Sequence, residues 1–148
     1  MNQAARPTDT TIEVLSDLVS FAATSETSNL DLIAYLEHRL GPLGAELSRS
    51  FDDRGRKANL LARLGPAEGP GIVLSGHTDV VPVAGQQWSS DPWRLRPDGD
   101  RFYGRGTADM KGFLACMVSF AEQVDPARLP GPLYLAFSYD EEIGLQGV

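Results

Sequence analysis

Gly71-Ile-Val-Leu-Ser-Gly-His-Thr-Asp79 is the stretch whose reading decides both fold and chemistry. Ile72, Val73 and Leu74 predict a short buried strand, since two of the three are β-branched and glycines bound the run. The strand is expected to end at Ser75-Gly76, with His77 and Asp79 just beyond it. In an extended segment residues i and i+2 project to the same face, so these two side chains can converge on one point. A metal-binding imidazole needs its second ring nitrogen held, and a carboxylate is the usual holder. Alone, His-x-Asp reads more readily as a polar turn after a strand than as a metal site.

Working outward, the pattern alternates helices and strands. Ile12, Leu15, Leu18 and Val19 recur at helical spacing after the N-cap candidates Asp9, Thr10 and Thr11. A second helix is expected from Ser28, with Leu32, Ile33, Leu36 and Leu40 as its apolar stripe and Gly41 as its stop. Strands are expected over 45–51 and 58–64, joined by the turn Asp52-Asp53-Arg54-Gly55. The segment after them, beginning at Gly71, is read as the central strand. Residues 82–106 form a long loop broken by short strands such as 101–103, with Trp88 and Trp93 packing it onto the core. A helix over 108–124 is expected to turn Phe113, Cys116, Met117, Phe120 and Val124 inward. A last buried strand, 133–137, runs into Ser138-Tyr-Asp-Glu-Glu142.

The 148 residues suit one domain, able to bury roughly 68–70% of its unfolded surface. Hydrophobic residues make up 42% and charged residues 22%, an ordinary balance for a globular protein. A net charge of −7 argues against nucleic-acid binding, which needs clustered Lys and Arg. Cys116 is the single cysteine, so it can form neither an intrachain disulfide nor a cysteine zinc cluster, and it is expected to pack as a small hydrophobe. Met1 to Thr11 is polar and lacks the apolar core of a secretory signal, and no apolar run approaches the ~20 residues of a membrane helix. A cytoplasmic protein without membrane contact is the expectation.

Three polar clusters share one placement. His77 and Asp79 end one strand, Asp109 opens a helix, and Glu141-Glu142 end another strand. In α/β sheets, sites form outside strand ends and at helix N-termini. One imidazole with several carboxylates suits zinc, manganese or cobalt. Asp109 could bridge two cations through its two oxygens, and adjacent glutamates can divide ligand and base roles.

The phrases Ser75-Gly-His-Thr-Asp79-Val-Val-Pro82, Gly104-Arg-Gly-Thr-Ala-Asp109-Met-Lys-Gly112 and Ser138-Tyr-Asp-Glu-Glu142-Ile-Gly144 resemble those of the M20 metallopeptidase and amidohydrolase family. The resemblance implies an α/β fold, a three-layer α/β/α zinc-exopeptidase-like catalytic domain with a mixed sheet, incomplete at its C-terminus. It implies two divalent metal ions, zinc in the first place and cobalt as the alternative. His77 would bind one, Asp109 would bridge both, and Glu142 would bind the other. Asp79 would orient His77, Glu141 would be the general base, and a cis peptide would follow Asp109. The substrate would be a small N-acyl amino acid. Gly55-Arg-Lys-Ala-Asn-Leu60 narrows the match towards members that release acetate from N-acetyl-L-ornithine in arginine biosynthesis.

The family also carries a further acidic ligand and a far C-terminal histidine ligand, whereas this chain holds only His38 and His77. Residues 1–148 are therefore read as the N-terminal portion of the catalytic domain, lacking a dimerisation domain, of an enzyme expected to be a homodimer. His38 is expected on a helix surface. The competing readings are a desuccinylase, carboxypeptidase or aminoacylase of the same family, or a non-catalytic homologue acting as a binding subunit.

Overall fold

The alternation in Ala58-Asn-Leu-Leu-Ala-Arg-Leu64 organises the sheet, because Ala58, Leu60, Ala62 and Leu64 are buried and the residues between them are not. The structure is a computed structural model describing residues 6–147; residues 1–5 of the polar N-terminal stretch, and Val148, lie outside the described residues. Helices α1 (Asp9–Ser20) and α2 (Leu30–Leu40) precede strands β1 (Glu46–Phe51), β2 (Ala58–Leu64) and β3 (Ile72–His77). A small hairpin of β4 (Arg96–Asp98) and β5 (Arg101–Tyr103) follows, then α3 (Lys111–Ala121) and β6 (Leu133–Ser138). The main sheet has the order β1-β2-β6-β3. It is mixed: β1, β2 and β6 pair antiparallel, and β3 runs parallel to β6 through a crossover containing α3.

One face of this sheet carries the core. Leu60 and Leu64 of β2 and Leu133, Leu135 and Phe137 of β6 join a single cluster with the apolar stripes of all three helices. Among the described residues the helices therefore lie on this one face. Each fully buried leucine contributes about 1.5–3 kcal/mol relative to an exposed one. The two N-terminal helices bury the predicted Leu15, Leu18, Leu32, Leu36 and Leu40. The cap of α1 is Thr8, one residue before the expected candidates, and its hydroxyl accepts from Thr11 N at 3.1 Å. Helix α2 starts after Asn29, whose side chain instead bonds Ala58 and Thr78.

Three expectations need correction. Strand β3 is not central: among the described residues it is an edge, so Ile72 and Val73 are exposed and burial begins only at Gly76 and His77. The strand also continues through Ser75 and Gly76 to His77. Helix α3 is shorter than 108–124 and buries Leu114, Ala115, Met117, Val118 and Ala121, leaving Phe113 and Phe120 exposed. Cys116 is exposed too, rather than packed. The reason is that α3 is apolar on nearly every side, so its periodicity does not single out a face. His38 is exposed as expected, and no helix among the described residues is long and apolar enough to cross a membrane.

Candidate metal centre

The C-terminal end of β3 and the start of α3 meet because two glycines let them. A Cβ on Gly76 would lie 2.6 Å from Leu114 Cδ2 and 2.9 Å from Met110 Cε, so a larger residue would push both side-chain ends aside. Gly106 has a left-handed backbone (φ +81°), and a Cβ there would strike Val80. Met110 then reaches the strand end, its sulfur accepting from His77 N at 3.3 Å. The Asp109–Met110 peptide is cis, as the resemblance implied. Asp109 lies beside His77, in a turn two residues before α3.

His77 Nε2 lies 3.1 Å from Asp109 Oδ1 and 3.8 Å from Glu141 Oε2. One ligand atom each from His77, Asp109 and Glu142 falls within 4.8 Å of the others. A nitrogen and two carboxylate oxygens so grouped are a donor set that a divalent cation takes. The other ring nitrogen, Nδ1, is 2.9 Å from the main-chain carbonyl of Asp79. A carbonyl only accepts, so Nδ1 carries a hydrogen and Nε2 is the atom left for a metal. Asp79 holds the ring more closely by this carbonyl than by its carboxylate, whose Oδ1 is 3.5 Å away.

The Asp79 carboxylate is instead a hub. It accepts the hydroxyl of Ser25 at 2.7 Å and the main-chain N–H groups of Glu141 and Glu142 at 3.1 and 3.2 Å. Burial pushes its pKa up, but His77, Ser25 and these two N–H groups outweigh burial and hold it down at about 2. His77 is raised to about 9: its interaction with the Asp79 side chain is the largest cause, burial opposes it, and the Asp79 carbonyl and Asp109 add to it. Burial, and then the Asp109 carboxylate, raise Glu142 above the ordinary carboxylate range.

The structure thus brings together His77, Asp79, Asp109, Glu141 and Glu142, all five residues singled out in the sequence. Asp109 is 76% exposed, and the site opens to solvent rather than into a cavity. A groove of about 570 Å³ beside Lys57, Tyr139 and Asp140 is lined by none of the five. Sequence reasoning missed Ser25, which lies in the connection between α1 and α2 with no periodic or motif signal. It also passed over Lys111, fully buried in the second motif, whose ammonium donates to the Phe21 carbonyl at 2.7 Å. Burial lowers that lysine to about 8.

Residues 73–148 match the model of peptidase family M20/M25/M40. An acetylornithine deacetylase of Pectobacterium carotovorum is 37% identical over 143 residues, covering 92% of this chain. One of Proteus mirabilis is 39% identical over 146 residues, covering 93%. This chain spans 37% of the length of each. Among solved structures, human carnosine dipeptidase 1 superposes with a TM-score of 0.81 at 23% identity, covering 95% of this chain and 34% of that one. An M20 family metallo-carboxypeptidase of Sulfolobus solfataricus gives 0.78 at 22% identity, with 93% and 32% covered.

Proposed function

Because the chain belongs to peptidase family M20/M25/M40, we propose that it is part of a metal-dependent amide hydrolase that cleaves N-acetyl-L-ornithine to L-ornithine and acetate. The observation that carries the hydrolase reading is the convergence of His77, Asp109 and Glu142, with Glu141 alongside. The acetylated substrate rests on the relatives' names and on the 37% identity. Residues 1–148 are the N-terminal portion of the catalytic domain in this reading, in keeping with the 37% of the relatives' length that they span.

In this reading the group, close enough to hold a metal ion, would take two divalent cations, zinc or cobalt, with His77 on one, Glu142 on the other and Asp109 between them. Bound there, the cations would polarise the amide carbonyl and lower the pKa of a water. This chain's own groups do the rest. Asp79 keeps the hydrogen on Nδ1, so that Nε2 faces the metal position. Glu141, on the solvent side of the group, accepts the proton of the attacking water at its carboxylate and passes it to the departing amine. Its main-chain N–H is tied to Asp79, so the base and the ring share one anchor.

The test is a substrate panel on the full-length protein with zinc and with cobalt. N-acetylornithine should turn over faster than N-succinyl-diaminopimelate or a dipeptide. A preference for either of the latter would reassign the substrate within the family. No metal-dependent hydrolysis of any of them would favour the binding-subunit reading.

A further inference from the structure

Asp140 immediately precedes the two glutamates, and its backbone is left-handed (φ +54°), a region that a non-glycine residue keeps only when its surroundings hold it. Its carbonyl accepts from Gln146 N at 3.0 Å. Its carboxylate, on a side chain 9% exposed, takes the ammonium of Lys57, itself 15% exposed. That ammonium also donates to the carbonyl of Ser25, whose hydroxyl donates to Asp79. Asp79 in turn accepts the N–H groups of Glu141 and Glu142. The contacts close a ring that starts and ends at Lys57 and encloses the turn bearing both glutamates.

We propose that Lys57, through Asp140 and Ser25, is a positioning residue for Glu141 and Glu142, locking the turn that aims their carboxylates at His77. This deepens the hydrolase reading and rests on it. Asp140 is the first of three consecutive acidic residues, Asp140-Glu141-Glu142, and like charges held close repel. A buried carboxylate without a partner is strongly unfavourable, so the turn could not keep Asp140 inward alone. Lys57 supplies the missing charge, and its several donors let one ammonium hold both the Ser25 loop and the Asp140 turn. Without it nothing ties the Ser25 loop to the Asp140 turn, and the backbone of Glu141 is free to shift.

A lysine that only stabilises the fold would give a different pattern, and two variants of the full-length protein separate the cases. Lys57→Met should unfold at a lower temperature, because it leaves Asp140 buried and unpaired. Lys57→Met/Asp140→Asn should regain most of that loss, since no charge is left behind. In both, zinc affinity (by chelator competition) and kcat should stay about 10–100-fold below wild type, with KM little changed, the scale seen when groups supporting metal ligands are removed. A double variant with wild-type zinc affinity and kcat overturns the proposal. That variant carries the test even where Lys57→Met fails to fold. Zinc affinity also keeps the two readings apart. A wild type without turnover but with the zinc loss in the double variant sinks only the hydrolase reading, whereas normal turnover and zinc affinity in the double variant sink only this one.

Discussion

His77 and Asp79 are 5% and 2% exposed, while Asp109 and Glu141, across the same site, leave 76% and 40% of their side chains in solvent. The buried side is finished by protein contacts: a carbonyl on Nδ1, and Ser25 and two N–H groups on the Asp79 carboxylate. The open side has carboxylates that face solvent, with His77 Nε2 on their protein side. Charges interact more strongly where water is excluded, so the buried pair sets the position and protonation of the site before any metal arrives. The open pair is what a cation and a substrate complete. Substitutions on the two sides should therefore fail in different ways.

The largest effect belongs to the open side. Glu141→Gln keeps the shape of the side chain but cannot take a proton at neutral pH, so turnover should fall by about 10²–10⁴-fold. Zinc content, measured by atomic absorption, should stay near wild type. Equal zinc loss in Glu141→Gln and Glu142→Gln would mean that base and ligand are misassigned.

Next comes the buried hub. Asp79→Asn should weaken zinc binding about 10–100-fold and also lower the melting temperature of the metal-free protein. The Asp79 pKa is depressed to about 2, so its stabilisation is present above the ordinary value of 3.8 and is lost as pH falls through 2. A shift of that size corresponds to on the order of 2 kcal/mol. An unchanged melting temperature would break the distinction between the two sides.

A third test uses pH. His77 must release a proton to bind a cation, and in the metal-free site its pKa is raised to about 9. Zinc affinity should rise by about tenfold per pH unit through the neutral range and level off above about pH 9. The same shift acts on the metal-free fold with the opposite trend: the stabilisation is full below the ordinary value of 6.5 and is lost as pH rises through about 9. Titration calorimetry in two buffers of different ionisation enthalpy should find about one proton released per zinc at pH 7. Zero release would mean that His77 is already neutral.

The smallest effect sharpens the contrast. Asp109→Asn should weaken zinc binding while changing the urea-unfolding free energy of the metal-free protein by less than about 0.5 kcal/mol, as exposed substitutions do. A loss as large as that of Asp79→Asn would place Asp109 with the buried side.

Much of this was legible in the chain itself. The period-2 burial of 58–64 and 133–137 and the stripes of the first two helices are local signals, written in consecutive residues. So was the placing of His77, Asp109 and Glu141-Glu142 at the ends of apolar elements. Tertiary structure alone decided which strand lies at the edge, because a β-branched run looks the same wherever its neighbours are. It alone chose the buried face of α3, where apolar residues on every side cancel the periodic signal. It also decided who holds the site residues in place. Ser25 meets Asp79 across 54 positions, and Lys57 meets Asp140 across 83. Spacing encodes which face a side chain takes within its own element; contacts between distant segments arise only when those elements pack, and no local pattern records them.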